Sequence, residues 1–173
     1  SLTPLQRFKK RKNMYSYKAL QETKKIAIAR DHLTKEEIKE YSILYIIYNY
    51  PNIIVPRVEI FQSINFSSIG LNNLKSELLR LIAEGKFKKD SISNLNEKYS
   101  DLIKDINQNS VIRNIFLKKG ETQQIEMLNE ILKELNEIKF SKKIESFEKK
   151  LIENFDEKSY SDLIELKKQI NKE

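Results

Sequence analysis

Five small polar residues between positions 67 and 76 carry the most usable chemistry in this chain: Ser67, Ser68, Asn72, Asn73 and Ser76. A side-chain amide holds a donor and an acceptor side by side, which matches the N6 and N7 edge of adenine. A seryl hydroxyl can give or take a hydrogen bond at any base edge. Apolar residues share the same stretch, with Leu71, Leu74, Leu78 and Leu81 at 3-4-3 spacing. That spacing predicts a helix with an apolar seam, from which the five polar residues face outward. Cationic groups suited to phosphate flank it: Arg57, Lys75, Arg80, Lys86, Lys88 and Lys89. A denser basic run, Arg7, Lys9, Lys10, Arg11 and Lys12, lies far upstream.

The charge balance is uneven along the chain. Residues 1–31 hold nine Lys or Arg against two acids, which gives +7. The full chain is also +7, so residues 32–173 are neutral, with 23 charges of each sign. An arm of this kind is a handle for a polyanion, most commonly a phosphate backbone. Five neutralised phosphates would make log K fall with log salt at a slope of roughly −4 to −5. The competing reading is a solvated tail that aids solubility. A membrane surface fits less well, because the run lacks an apolar face at helical spacing.

The elements that must position the polar residues run from Arg57 to Ile82, RVEIFQSINFSSIGLNNLKSELLRLI. Ile60 and Ile64, one turn apart, are expected to share an inner face. Asn65 falls at a sharp turn, where Asn tolerates a left-handed backbone. Phe66 reads as a buried plug and Ser67 as the N-cap of the next helix. This stretch resembles the second and third helices of the helix-turn-helix superfamily. With LTKEEIKEYSILYIIYNY before it and ELLRLIAEGKFKKD after it, residues 33–90 resemble a winged-helix domain. It departs from that pattern at Asn65, where Gly is usual, and at Phe61, where a small residue is usual. The resemblance implies a reading helix over about 67–82 that enters the major groove of double-stranded DNA. It also implies a small β wing after the Gly85 C-cap, with Lys86, Lys88 and Lys89 on phosphates.

Further elements are legible on either side. Met14–Arg30 is expected to be helical. Thr34 and Glu37 form a capping box, with Leu33 and Ile38 where a hydrophobic staple belongs. That helix should run to about Tyr48, before Pro51. Its middle, YSILYIIY, is apolar all round and should be buried on more than one side. Tyr41, Tyr45 and Tyr48 could stack bases, but beside Ile43, Leu44, Ile46 and Ile47 they read as core. Asn94 and Glu97 suggest a second capping box for a helix carrying Leu95, Tyr99, Leu102, Ile103 and Ile106, broken by the polar residues 107–110. A short helix, VIRNIFLKK, ends at Gly120, read as a domain boundary.

Beyond it, Ile125, Leu128, Leu132 and Leu135 form a 3-4-3 seam that fails at Lys139 and Lys142. A turn near 139–143 is therefore expected. A helix with Ile144, Phe147, Leu151 and Phe155 follows, then one with Tyr160, Leu163, Ile164 and Ile170. The fold class is all-α, or mainly α with a small β wing: a helix-turn-helix core followed by a C-terminal amphipathic hairpin or bundle. The expected regions are a basic arm at 1–31, the core at 32–120, and 121–173 for homodimerisation or a protein partner. This last region has ten basic and thirteen acidic residues and should stay off nucleic acid.

Catalytic apparatus is nearly missing from the sequence. There is no cysteine, so no thiolate site or disulfide, and a reducing, cytoplasmic setting is the default expectation. His32 is the sole histidine, too few for an imidazole metal site. Gly70, Gly85 and Gly120 are too far apart to cradle phosphate. No apolar run approaches the ~20 residues of a membrane span, and the longest, Ser42–Val55, is interrupted by Asn49, Pro51 and Asn52. The sequence therefore points to a non-enzymatic, cofactor-free, sequence-specific DNA-binding protein, serving transcription or plasmid or phage maintenance. A helical adaptor for protein partners and a basic-arm RNA binder are the alternatives.

Overall fold

The central helix, α1 (Lys35–Asn49), begins where side chains satisfy its free N–H groups. Thr34 Oγ1 accepts from the Glu37 N–H at 3.2 Å, and the Glu37 carboxylate accepts from the Thr34 N–H at 2.8 Å. Every residue from Tyr41 to Ile47 is buried. Full burial of aliphatic side chains such as Ile43, Leu44, Ile46 and Ile47 is worth about 1.5–3 kcal/mol each. Tyr41 and Tyr45 belong to this core, and the Tyr41 hydroxyl donates to Asp105 at 2.8 Å. Tyr48, half-buried, donates to Asn96 at 2.8 Å.

The structure is a computed structural model that describes residues 33–153 and 156–170. The basic run Arg7–Lys12, the helix expected at Met14–Arg30, His32 and Phe155 lie outside the described residues. After α1 come α2 (Pro51–Ile54), a 3-10 turn (Val55–Arg57), α3 (Val58–Ser63) and α4 (Ile69–Ala83). Next are α5 (Lys89–Lys98), α6 (Ser100–Asn109), α7 (Arg113–Phe116), α8 (Glu121–Glu153) and α9 (Glu157–Ile170). Helix α1 packs against α4, α6 and α8, so the core surrounds it on several sides. The short α7 adds the fully buried Phe116, whose ring meets Tyr50 edge-on at 4.8 Å.

Several expectations need correction. Among the described residues there is no strand: the basic exit at 86–88 runs into α5 rather than into a wing. Gly85, at φ 64°, closes α4 with the Lys86 N–H on the Leu81 carbonyl at 2.8 Å and its own N–H on Ile82 at 3.1 Å. This Schellman end turns the chain sharply enough for a new helix to start at Lys89. Asn94 and Glu97 are consequently inside α5 and do not cap it.

The largest difference lies downstream. No turn interrupts residues 139–143, because α8 is one helix of 33 residues. Its first half places Leu128, Ile131, Leu132 and Leu135 in the same core as α1 and α4, so residues on both sides of the exposed Gly120 share one core. Its second half pairs with α9 as a hairpin, where Leu163 is buried.

Candidate functional site

The five residues 64–68 link α3 to α4, and their shape follows from how their backbone groups are satisfied. No non-glycine residue among those described has a positive φ, so Asn65 is not left-handed as expected. The link is extended at both ends, with Ile64 at φ −83°, ψ 122° and Ser68 at φ −112°, ψ 147°. A turn this wide needs no glycine. It does leave backbone donors and acceptors without helical partners, and such groups need partners elsewhere.

Four side chains supply them. Lys75 Nζ donates to the Ile64 carbonyl, and Lys139 Nζ donates to the Asn65 carbonyl. The Asn72 amide brackets Phe66, accepting from its N–H at 2.8 Å and donating to its carbonyl at 2.7 Å. Glu40 accepts from the Ser67 N–H at 2.7 Å and from the Ser67 hydroxyl at 2.6 Å. Phe66 itself is buried, with Lys75 Nζ 5.0 Å from its ring centroid. The turn ahead of α4 is thus held from α1, α4 and α8 at once.

These bonds redistribute the residues read from the sequence as base contacts. Asn72 is half-buried and spent on Phe66, with a further bond to the Ser68 carbonyl at 3.1 Å. The Ser67 hydroxyl is spent on Glu40, and the N-cap is Ser68, whose Oγ accepts from the Leu71 N–H at 3.2 Å. Asn73 and Ser76 remain exposed on α4. Arg80 continues the same stripe, and Ile69, at the first position of α4, is 81% exposed. On the opposite side Leu71, Leu74, Leu78 and Leu81 are all buried. In α3 the inner residue is Phe61, fully buried, whereas Ile60 is exposed and Ile64 half-buried.

The cations divide similarly. Lys75 is buried and cannot reach a phosphate. Burial, and after it the Lys139 charge, push its ammonium below the ordinary lysine value. Arg57 donates to the Ile53 carbonyl at 3.0 Å. Arg80 pairs with Glu77 and Glu84 at 3.1 Å each, and Lys86 pairs with Glu84 at 2.9 Å. Lys88 and Lys89 are exposed and pair with no carboxylate among the described residues. The exposed face of α4 is therefore close to neutral.

Sequence reasoning missed the ionic cluster beneath the turn. Glu36 and Glu40 are buried on α1, and Lys139 Nζ lies 2.8 Å from Glu36 and 3.4 Å from Glu40. Lys142 also pairs with Glu36. The signal available was the i, i+4, i+7, i+11 register of Glu36, Glu40, Ile43 and Ile47, which puts two carboxylates on an inner face. Their partners are about a hundred residues away in sequence and could not be matched to them by local pattern.

Burial alone would raise the pKa of Glu36, but the hydrogen bonds and charges of Lys139 and Lys142 outweigh it and hold it below the ordinary glutamate range. A carboxylate held low in the folded state stabilises fully above its unfolded value, and that stabilisation is lost as pH falls through the folded one. Glu36→Gln is therefore expected to lower stability at neutral pH. The same variant should flatten the loss of stability between about pH 5 and pH 3. Urea midpoints across that range test this, and parallel wild-type and variant curves would refute it. No family model matches the chain, and neither a curated protein nor a solved structure does.

Proposed function

We propose that the chain is a non-enzymatic, sequence-specific binder of double-stranded DNA, with α4 as the reading helix. The observation that carries this reading is the exposed stripe Asn73, Ser76 and Arg80 on a helix whose other face is buried by four leucines. Small polar side chains on a rigidly seated helix can approach base edges closely, and an Asn amide can pair bidentately with adenine. Ser68, at the start of α4, sits where such helices first meet the groove.

The reading narrows the set of contacts. Asn72 and Ser67 shape the turn, while Asn73 and Ser76 read bases. Lys88 and Lys89 serve the phosphates, and Arg80 can join them by leaving its glutamates, since exposed pairs are worth little. The near-neutral face of α4 leaves most of the phosphate attraction to the +7 carried by residues 1–31. In this reading residues 33–85 form the helix-turn-helix core, without a wing. The hairpin of α8 and α9 is the natural place for a second copy or a protein partner. No described helix is long and apolar enough to cross a membrane.

Selection from random duplexes followed by footprinting tests the reading. With a selected site in hand, Asn73→Ala with Ser76→Ala should remove about 1–3 kcal/mol of discrimination between that site and a scrambled duplex. The melting temperature should be unchanged, because both side chains are exposed. If no duplex is selected, the helical adaptor becomes the better reading.

A further inference from the structure

The long helix α8 changes surroundings once along its length. Leu128, Ile131, Leu132 and Leu135 are buried against the core, and no residue of α8 beyond them is buried. Lys139 and Lys142 still reach Glu36 on α1, and beyond them its company is α9, including Lys167 on Glu148 at 2.8 Å. Lys139 stands at the exit from the core. At that point its ammonium holds Glu36, Glu40 and the Asn65 carbonyl, and Glu40 in turn holds both polar groups of Ser67.

We infer that Lys139 is a positioning residue through which the distal hairpin, residues 143–153 with α9, sets the state of the turn ahead of α4. A continuous helix of this length spans about 50 Å, so its outer half is a lever on the point where it leaves the core. Asn65, Phe66 and Ser67 are held by side chains rather than by helical hydrogen bonds, and segments of that kind open at low free-energy cost once their side-chain partners move. Displacement of the hairpin would therefore bias the open or closed state of residues 64–68. That this matters for DNA rests on the reading of α4 given above, whereas the mechanical coupling does not.

Amide hydrogen exchange on the full chain separates the two. Leu163→Ala with Glu148→Lys removes the buried contact of α9 and turns its ion pair into a repulsion. Exchange in α9 should rise, and exchange at the Ser67 amide should rise with it by about tenfold, within the coupling range of residues in one network. Lys139→Met should raise Ser67 exchange on its own. Adding the hairpin changes to Lys139→Met should then do nothing further at Ser67, because the link is already cut. Lys139→Arg, which keeps charge and donors, should keep the response to the hairpin changes. A hairpin loosened in α9 with Ser67 exchange as in the wild type would overturn the inference, as would effects that simply add. A chain that shows the coupled exchange but binds no duplex would refute the DNA reading and leave the coupling standing.

Discussion

Glu40→Ala is expected to destabilise the fold by about 3 kcal/mol, read as a fall in urea midpoint with little change in slope. Glu40 is fully buried and accepts from three donors: the Ser67 N–H, the Ser67 hydroxyl and Lys139. Deleting one member of a buried ion pair costs roughly 3–5 kcal/mol, because the partner charge is left behind. The lower end applies here. Lys139 keeps Glu36 and the Asn65 carbonyl, and its side chain is 28% exposed, so water can reach it. Glu40→Gln should cost less, since an amide oxygen still accepts from Ser67. If Glu40→Leu proved as stable as the wild type, an apolar contact would suffice at this position. The cluster would then have no part in holding the turn.

The contrast between what the sequence reveals and what it conceals follows from the range of each interaction. The seam Leu71, Leu74, Leu78 and Leu81 was legible, because burial of one helix face imposes a local period on the chain. So was the capping box at Thr34, whose two partners are three residues apart. The same periodicity rule misled at Lys139 and Lys142. Loss of apolar residues from a seam signals the end of a helix only if the opposite surface is apolar, and here it presents Glu36 and Glu40. The helix continues because the seam becomes ionic.

Asn72 shows a second limit. Its type and position suit an adenine edge, yet the same bidentate geometry fits one residue's backbone N–H and C=O equally well. The extended turn supplies such a residue in Phe66. The charge of Lys75 suits a phosphate contact, but the residue lies beside the Leu74 and Leu78 face and its stem is long enough to end on the Ile64 carbonyl. The wing was expected from resemblance, and residues 86–88 are too few before α5 to build one.

Alanine at Arg7, Lys9, Lys10, Arg11 and Lys12 should produce the largest functional change. If α4 reads duplex DNA, its own surface supplies little long-range attraction, since Arg80 is matched by Glu77 and Glu84. The excess charge of the chain is confined to residues 1–31. Five phosphate contacts released as counterions rise correspond to a slope of about −4.5 in log K against log salt. Between 50 and 200 mM salt the arm alone thus accounts for a roughly 500-fold loss of affinity in the wild type, a share the variant should not show. The variant should instead bind weakly at low salt, and equally so for specific and scrambled duplexes. The ratio between the two should survive, because phosphate contacts position a protein without reading sequence. Titration at four salt concentrations measures both quantities. An unchanged slope would mean that the arm does not touch the duplex, and the phosphate contacts would then have to come from Lys86, Lys88 and Lys89. Three lysines, one already paired with Glu84, limit the slope to about −2.7, so the wild-type value alone decides between the two surfaces.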